Sequence, residues 1–278
     1  MAVEQQSVGV LVSKRTRGSM RADLRALRRF RSLIRYLVST TLQTEKTGSV
    51  FGFVWWFLDP VLLMLVYWFL FGVIFSRAEP EFPIFILVSL ISWEFFVTAV
   101  TTSMSITIAQ ERAMRQVAFP RSVIPLSVTI AQFTHLIAGL LFSVAAVYVV
   151  YGVVPSTELA AVVPLAVLQG IFTLGAAFIF AALNFFYRDV AHLAAYLFRL
   201  WYFMSPGVYA ISRIPDRYRG WYQLNPYATF FGGYHAAILH ERFPGAAAFA
   251  YTAVVSIVVL VGSYRLFVHW APRFAKVV

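Results

Sequence analysis

Residues 54–75 read VWWFLDPVLLMLVYWFLFGVIF, and this stretch decides the fold. Asp59 is the one charged residue among the 22, and a helix of that length crosses the ~30 Å hydrocarbon core of a bilayer. A helix resting on a soluble core would show polar residues along one side at every turn, and none recur here. Comparable runs follow along the chain. Together they predict six membrane spans, at residues 51–75, 83–107, 126–153, 159–186, 191–211 and 247–268. Composition agrees: 60% of the 278 residues are apolar and 13% are charged, too few charges for the surface of a soluble domain. Backbone polar groups in hydrocarbon must be satisfied internally, and runs of about 20 apolar residues do this as helices. The expected fold class is all-α integral membrane.

Ten of the 23 Lys and Arg residues fall in the first 50 positions, against three acids. Residues 1–18 are polar and read as a mobile cytosolic tail, and residues 1–30 hold no apolar core of the kind a cleavable signal peptide needs. Over residues 19–45 the pattern is that of a basic amphipathic helix in the membrane interface. Leu24, Leu27, Phe30, Ile34, Leu37 and Leu42 recur at helical spacing between arginines. Residues 46–278 then form one six-span domain. Between the fifth and sixth spans, residues 213–245 are too polar to cross and too apolar for a free loop. They predict short helices re-entering the membrane from outside. Six spans put both termini on one side. With that side cytosolic, inner segments hold 16 Lys and Arg and outer segments five, which predicts cytoplasmic termini and a multi-pass protein of the inner (plasma) membrane.

The chain has no cysteine, so disulfides, thiolate nucleophiles and cysteine metal sites are excluded. HExxH and G-x-S-x-G sequences are absent, and so is the P-loop pattern G-x-x-x-x-G-K-[S/T]. This speaks against an enzyme and against nucleotide binding by this chain. The basic balance reads as membrane orientation and not as nucleic-acid binding. Beyond His192 at the very start of the fifth span, the charged residues and histidines within the spans are Asp59, Glu94, His135, Arg199 and Arg265. Such groups are costly in hydrocarbon and are functional or paired by default, so Glu94 and Arg199, at comparable depth on two spans, form a candidate ion pair. Arg265 lies near enough to its helix end to snorkel. His135 alone is an incomplete metal site, and reads as an interior residue hydrogen-bonded to Gln132; no metal is expected. Aromatic residues make up 17% of the chain. Tyr67 and Phe71 on the first span, Phe85, Trp93 and Phe96 on the second, and Trp201, Tyr202 and Tyr209 on the fifth are candidates for a track on which sugar rings stack, with plain packing as the competing reading.

The basic amphipathic start is followed by GSVFGFVWWFLDP at 48–60, NFFYRD at 184–189, SPGVY at 205–209 and LNP at 224–226. In order and spacing these landmarks resemble the ABC-2 type permeases of polysaccharide export, which include the Wzm-like O-antigen and galactan exporters and the teichoic-acid exporters. The likeness runs from about Ser19 to the end. It implies a homodimer, two copies of a separate ABC ATPase that binds ATP and Mg, no cofactor in this chain, and a channel for a polyprenyl-pyrophosphate-linked polysaccharide. It implies a coupling helix matching residues 109–120, where Glu111, Arg112 and Arg115 would meet the ATPase. It implies an entrance gate matching residues 23–43, whose Arg25, Arg28, Arg29, Arg31 and Arg35 would meet the pyrophosphate with bidentate donors. Residues 214–239 match outer gate helices hinged at Asn225 and Pro226. The long polar head and Asp59 inside the first span depart from the family pattern. Two other readings stay open on the residues: an ABC-2 exporter of small drugs or lipids, and an integral-membrane glycosyl- or acyltransferase.

Overall fold

A computed structural model describes residues 20–44, 51–75, 81–109, 119–152, 154, 156–240 and 242–271, and among these there is no strand. Two short helices, α1 (Met20–Arg29) and α2 (Arg31–Thr44), come first. α3 (Trp55–Trp68) is entered through a 3-10 turn at Gly52–Val54 and prolonged by a π-helical stretch, Phe69–Ile74. Then come α4 (Phe82–Ala109), α5 (Val123–Tyr151), a 3-10 turn (Thr157–Ala161) leading into α6 (Val162–Phe186), α7 (Val190–Phe203), α8 (Asp216–Gln223), α9 (Pro226–Leu239) and α10 (Ala246–Trp270).

Among the described residues five helical stretches are long and apolar enough to cross a membrane: Gly52–Ile74, Phe82–Ala109, Val123–Tyr151, Thr157–Phe186 and Ala246–Trp270. The stretch expected at 191–211 is not among them. α7 ends after 14 residues, about 21 Å, short of the ~30 Å core. The cause is local. Pro206 has no N–H to bond back into a helix and Gly207 follows it, so the chain turns at 204–207 although the apolar run continues through Val208 and Ile211.

α4 is the pillar of the subunit, with 17 of its 28 residues buried. α3, α5, α6, α7 and α9 all pack against it. α6 and α10 form the other close pair. A Cβ built on Gly175 of α6 would stand 2.9 Å from the backbone N and Cα of Leu260, and Ala177, Ala181 and Ala182 of α6 are fully buried. In lipid, where apolar surface gains little by hiding from apolar surface, such small residues let helix backbones approach and gain dispersion contacts. α3 is the opposite case: Pro60 is its one buried residue.

Contacts at the helix ends order the two faces of the bundle. Asp23 on α1 accepts hydrogen bonds from Ser122, just before α5, and from Tyr264 in the last turns of α10, both at 2.5 Å. Phe186, ending α6, meets Trp270 edge-on. One face therefore gathers α1, the start of α5 and the ends of α6 and α10. On the opposite face His240, after α9, lies 3.4 Å from Glu158 at the head of α6. α6 delivers the chain to the α1 face and α10 sets out from the other. Residues 187–245 carry the chain between them in short helices, none of which is long enough alone.

Candidate functional site

The first part of the site is the basic helix pair. Arg25, Arg28, Arg29, Arg31 and Arg35 are all exposed, while Met20 and Leu27 pack on Phe178, Tyr264 and Phe267 at the ends of α6 and α10. Asp23 fastens this helix to the bundle through Ser122 and Tyr264. Its one sequence signal is that it stands alone as an acid among arginines.

A cleft of about 400 Å³ opens between α3, α4 and α5. Asp59 and Glu94 line it, and both are exposed although each lies in an apolar helix. Glu94 Oε1 accepts a hydrogen bond from Thr98 Oγ1 at 2.8 Å. On the α5 wall His135 Nδ1 lies 2.8 Å from Gln132 Oε1, so this nitrogen carries the proton, and its ring sits 3.5 Å from that of Trp56, centroid to centroid. Arg199 is elsewhere. It is exposed on α7, close enough to Tyr67 to act on it electrostatically, and no ion pair joins it to Glu94. The reason is angular. Trp93 faces α7, where it meets Trp201 and Tyr202, and the next residue on an α-helix is turned ~100° away. Equal depth does not bring the charges together.

The aromatic expectation divides. Trp93, Phe96 and Tyr202 are buried in one cluster with Tyr227 and Phe231 of α9, with 4.7 Å between the Trp93 and Tyr227 centroids. Phe85 is buried against His235, 3.8 Å between centroids. These four rings hold the subunit together and offer no free face to a sugar, which corrects their reading as a track. α4 is enclosed by helices on nearly every side, so a shared aromatic face on it is a packing face. Tyr67 on α3 and Phe71 on its π-helical extension stack on each other and stay half-buried, and Trp201 is half-buried too. Tyr209 donates to the Phe203 carbonyl and its hydroxyl lies 3.0 Å from that of Tyr222. The Tyr202 hydroxyl is buried with no partner among the described residues. An unsatisfied buried hydroxyl costs ~1–3 kcal/mol. Tyr202→Phe is therefore expected to raise the melting temperature of the detergent-purified protein, by about 2–4 °C for each kcal/mol recovered. Scanning fluorimetry checks this, and a lower melting temperature would reveal a partner for the hydroxyl.

Asn225 and Pro226 stand where α7 meets α9. Asn225 Oδ1 accepts from the Tyr227 N–H and from Trp201 Nε1, both at 3.0 Å, while its Nδ2 donates to Ser205 Oγ at 2.7 Å. It caps α9, and Pro at the first helical position needs no donor there. α9 is then locked along its length. Gln169 of α6 accepts from the Tyr234 hydroxyl at 2.8 Å and donates to the Ser92 carbonyl at 2.7 Å. His235 Nε2 donates to the Phe85 carbonyl at 2.9 Å, with Ser89 Oγ equally close. Such a buried polar network is stable only when every member is satisfied, and here it ties α4, α6 and α9 into one unit. The sequence reading missed it. A lone glutamine inside an apolar span was the available signal. α8, by contrast, buries no residue, and Trp221 is 73% exposed.

Residues 25–239 match a family model described as ABC-2 type transporter. The chain belongs to the ABC-2 type transporter family. The match opens within α1 and closes at the last residue of α9, so the arginines from Arg25 to Arg35, the acidic cleft and the Asn225 junction all lie inside the ABC-2 region. Relatives carry the likeness further along the chain. The O-antigen export system permease protein RfbA of Myxococcus xanthus is 32% identical, over 91% of this chain and 98% of its own length. Two proteins of the same name from Klebsiella pneumoniae are 30% identical over 71% of this chain and 76% of their counterpart's length, and 27% over 88% and 94%. As an ABC-2 transporter this is a membrane subunit, and the family implies an ABC ATPase as partner. Glu111, Arg112 and Arg115, assigned by resemblance to that contact, lie outside the described residues, as do residues 1–18.

Proposed function

We propose that this chain is the permease half of an exporter carrying a polyprenyl-pyrophosphate-linked polysaccharide, of O-antigen, galactan or teichoic-acid type, outward across the inner membrane. The observation that carries this is similarity over nearly the whole chain to a permease named for O-antigen export. The exposed arginine row on α1 and α2 supports an entrance that takes the pyrophosphate, because guanidinium groups offer paired donors to phosphate oxygens. The nearly unburied α3 supports a second copy of the chain across a dimer interface, with ATP and Mg bound by two ATPase copies on the cytosolic face. In this reading residues 187–245 complete a sixth crossing and both termini are cytosolic. α9 is the re-entrant element, rising from Tyr227 beside Trp93 to His240 beside Glu158. Because α9 is bonded to α4 and α6, the moving part of the outer gate is α8 with the turn before Asn225.

Depletion of the protein in its host tests the reading, with labelled sugar followed into polyprenyl-linked glycan on each side of the membrane. Lipid-linked polymer is expected to accumulate inside while surface glycan is lost. An unchanged distribution would refute export of polysaccharide.

A further inference from the structure

We infer that the cleft between α3, α4 and α5 binds uncharged saccharide units of the cargo within each subunit, an inference that rests on the polysaccharide reading above. Glu94 holds the thirteenth of 28 positions in α4, and Asp59 the fifth of 14 in α3. Both are exposed into the cleft, and carboxylates at such positions face a wet cavity or a polar partner, because hydrocarbon does not tolerate them. Among the described residues no Lys or Arg lines the cleft. Thr98 occupies one acceptor position of Glu94, and Asp59 has no partner among the described residues.

The rest of the lining narrows the ligand class. An ionised carboxylate only accepts hydrogen bonds, and vicinal hydroxyls of a pyranose supply donors at matching spacing. Trp55 and Trp56 bring flat apolar surface to the same cavity, and Gln132 brings an amide. The Trp56 ring is steadied by His135, itself held by Gln132. A concave site of about 400 Å³ with apolar walls and a few convergent polar groups falls in the ~300–1,000 Å³ range of small-ligand pockets. Charge then selects among sugars. Two carboxylates in one cleft repel a pyrophosphate, a uronic acid or a phosphorylated unit. The cleft starts at Gly52, eight residues after α2 ends at Thr44, so the cationic helix and the acidic cleft are close in the chain. The anionic end of a lipid-linked chain and its uncharged body are thus sorted onto two sites of opposite sign.

The test is equilibrium binding to the full-length chain in nanodiscs, with radiolabelled uncharged polysaccharide released from the host surface by mild acid as probe. The isosteric double variant Asp59→Asn/Glu94→Gln is expected to bind about tenfold more weakly, a ratio that corresponds to ~1.4 kcal/mol, while eluting like the wild type. Trp55→Ala, at an exposed position that folding tolerates, is expected to weaken binding as well. Polygalacturonate, an anionic polymer drawn to the arginine row, should not displace the uncharged probe from the wild type, and its displacing that probe would overturn the charge selection. Wild-type affinity in both variants would overturn the assignment. So would failure of the double variant to elute like the wild type, since the carboxylates would then hold protein and not sugar. If depletion abolishes surface glycan but the wild-type chain binds no probe, the cleft assignment falls and the export reading stands. If depletion leaves the glycan in place, the export reading falls first.

Discussion

Gly175→Leu is expected to abolish production of a monodisperse membrane domain. Even the Cβ of an alanine would stand 2.9 Å from the Leu260 backbone N and Cα, against the ~3.5–4.0 Å at which non-bonded carbons are comfortable. A side chain can swing aside, but a helix backbone cannot without moving all of α10. Overpacking by single methylenes already costs ~1–3 kcal/mol in well-packed cores, and leucine adds a whole branched side chain where the α10 backbone leaves no room for a Cβ. Gly262, on α10 itself, has nothing within 4 Å of a built Cβ. Gly262→Ala is the matched control and should gain up to ~1 kcal/mol of helix propensity without disturbing packing. Fluorescence-detected size-exclusion chromatography of the two variants decides the matter. A symmetric wild-type peak for Gly175→Leu would show that α6 and α10 do not approach as described.

Asp23→Ala is expected to release the arginine helix from the bundle while leaving the bundle folded. Two hydroxyls donate to this one carboxylate, from Ser122 and Tyr264, and hydrogen bonds to charged groups are worth ~1.5–3 kcal/mol each. No residue of α1 is buried, and among the described residues Asp23 makes its side-chain hydrogen bonds to the bundle. Cleavage by trypsin after the exposed arginines of α1 should then rise at least about tenfold, because a loss of ~1.4 kcal/mol raises the open population by that factor, whereas α2 stays packed along α5. Tyr264→Phe removes one of the two donors and should give an intermediate rate. Unchanged cleavage in Asp23→Ala would mean that apolar contacts of Met20 and Leu27 alone hold the helix. Ser122 follows the loop that resemblance assigns to ATPase coupling, so under the export function proposed above the same variant is expected to support ATP hydrolysis by the partner yet export less glycan, which a paired ATPase and surface-glycan measurement would read.

Part of the site was legible from residue type alone. Asp59 and Glu94 announced themselves because carboxylates are expensive in hydrocarbon, and the arginine row did so by its helical spacing against leucines. The junction at Asn225 and Pro226 was marked by turn chemistry. What residue type could not supply was direction. Glu94 and Arg199 share a depth but point to different neighbours, and the rings of α4 point inward because helices surround it. The break after Phe203 was visible as Pro206 and Gly207, yet hydropathy averaged over the apolar residues on both sides concealed it.

The sequence by itself determined the helical membrane class, five of the long spans, the basic amphipathic start and the family. Each of these follows from a rule that acts along the chain: about 20 apolar residues per crossing, backbone groups satisfied within a helix, and charge bias between short segments. Tertiary structure alone decided that Gln169 and His235 lock α9, that Asp23 reaches Tyr264 across 241 positions, and that two acids and two tryptophans share one cleft. Those are matters of rotation about helix axes and of which helices are neighbours. Packing settles both, because shape and paired polar groups distinguish helix partners in a bilayer, whereas apolar runs of similar length look alike to the lipid around them.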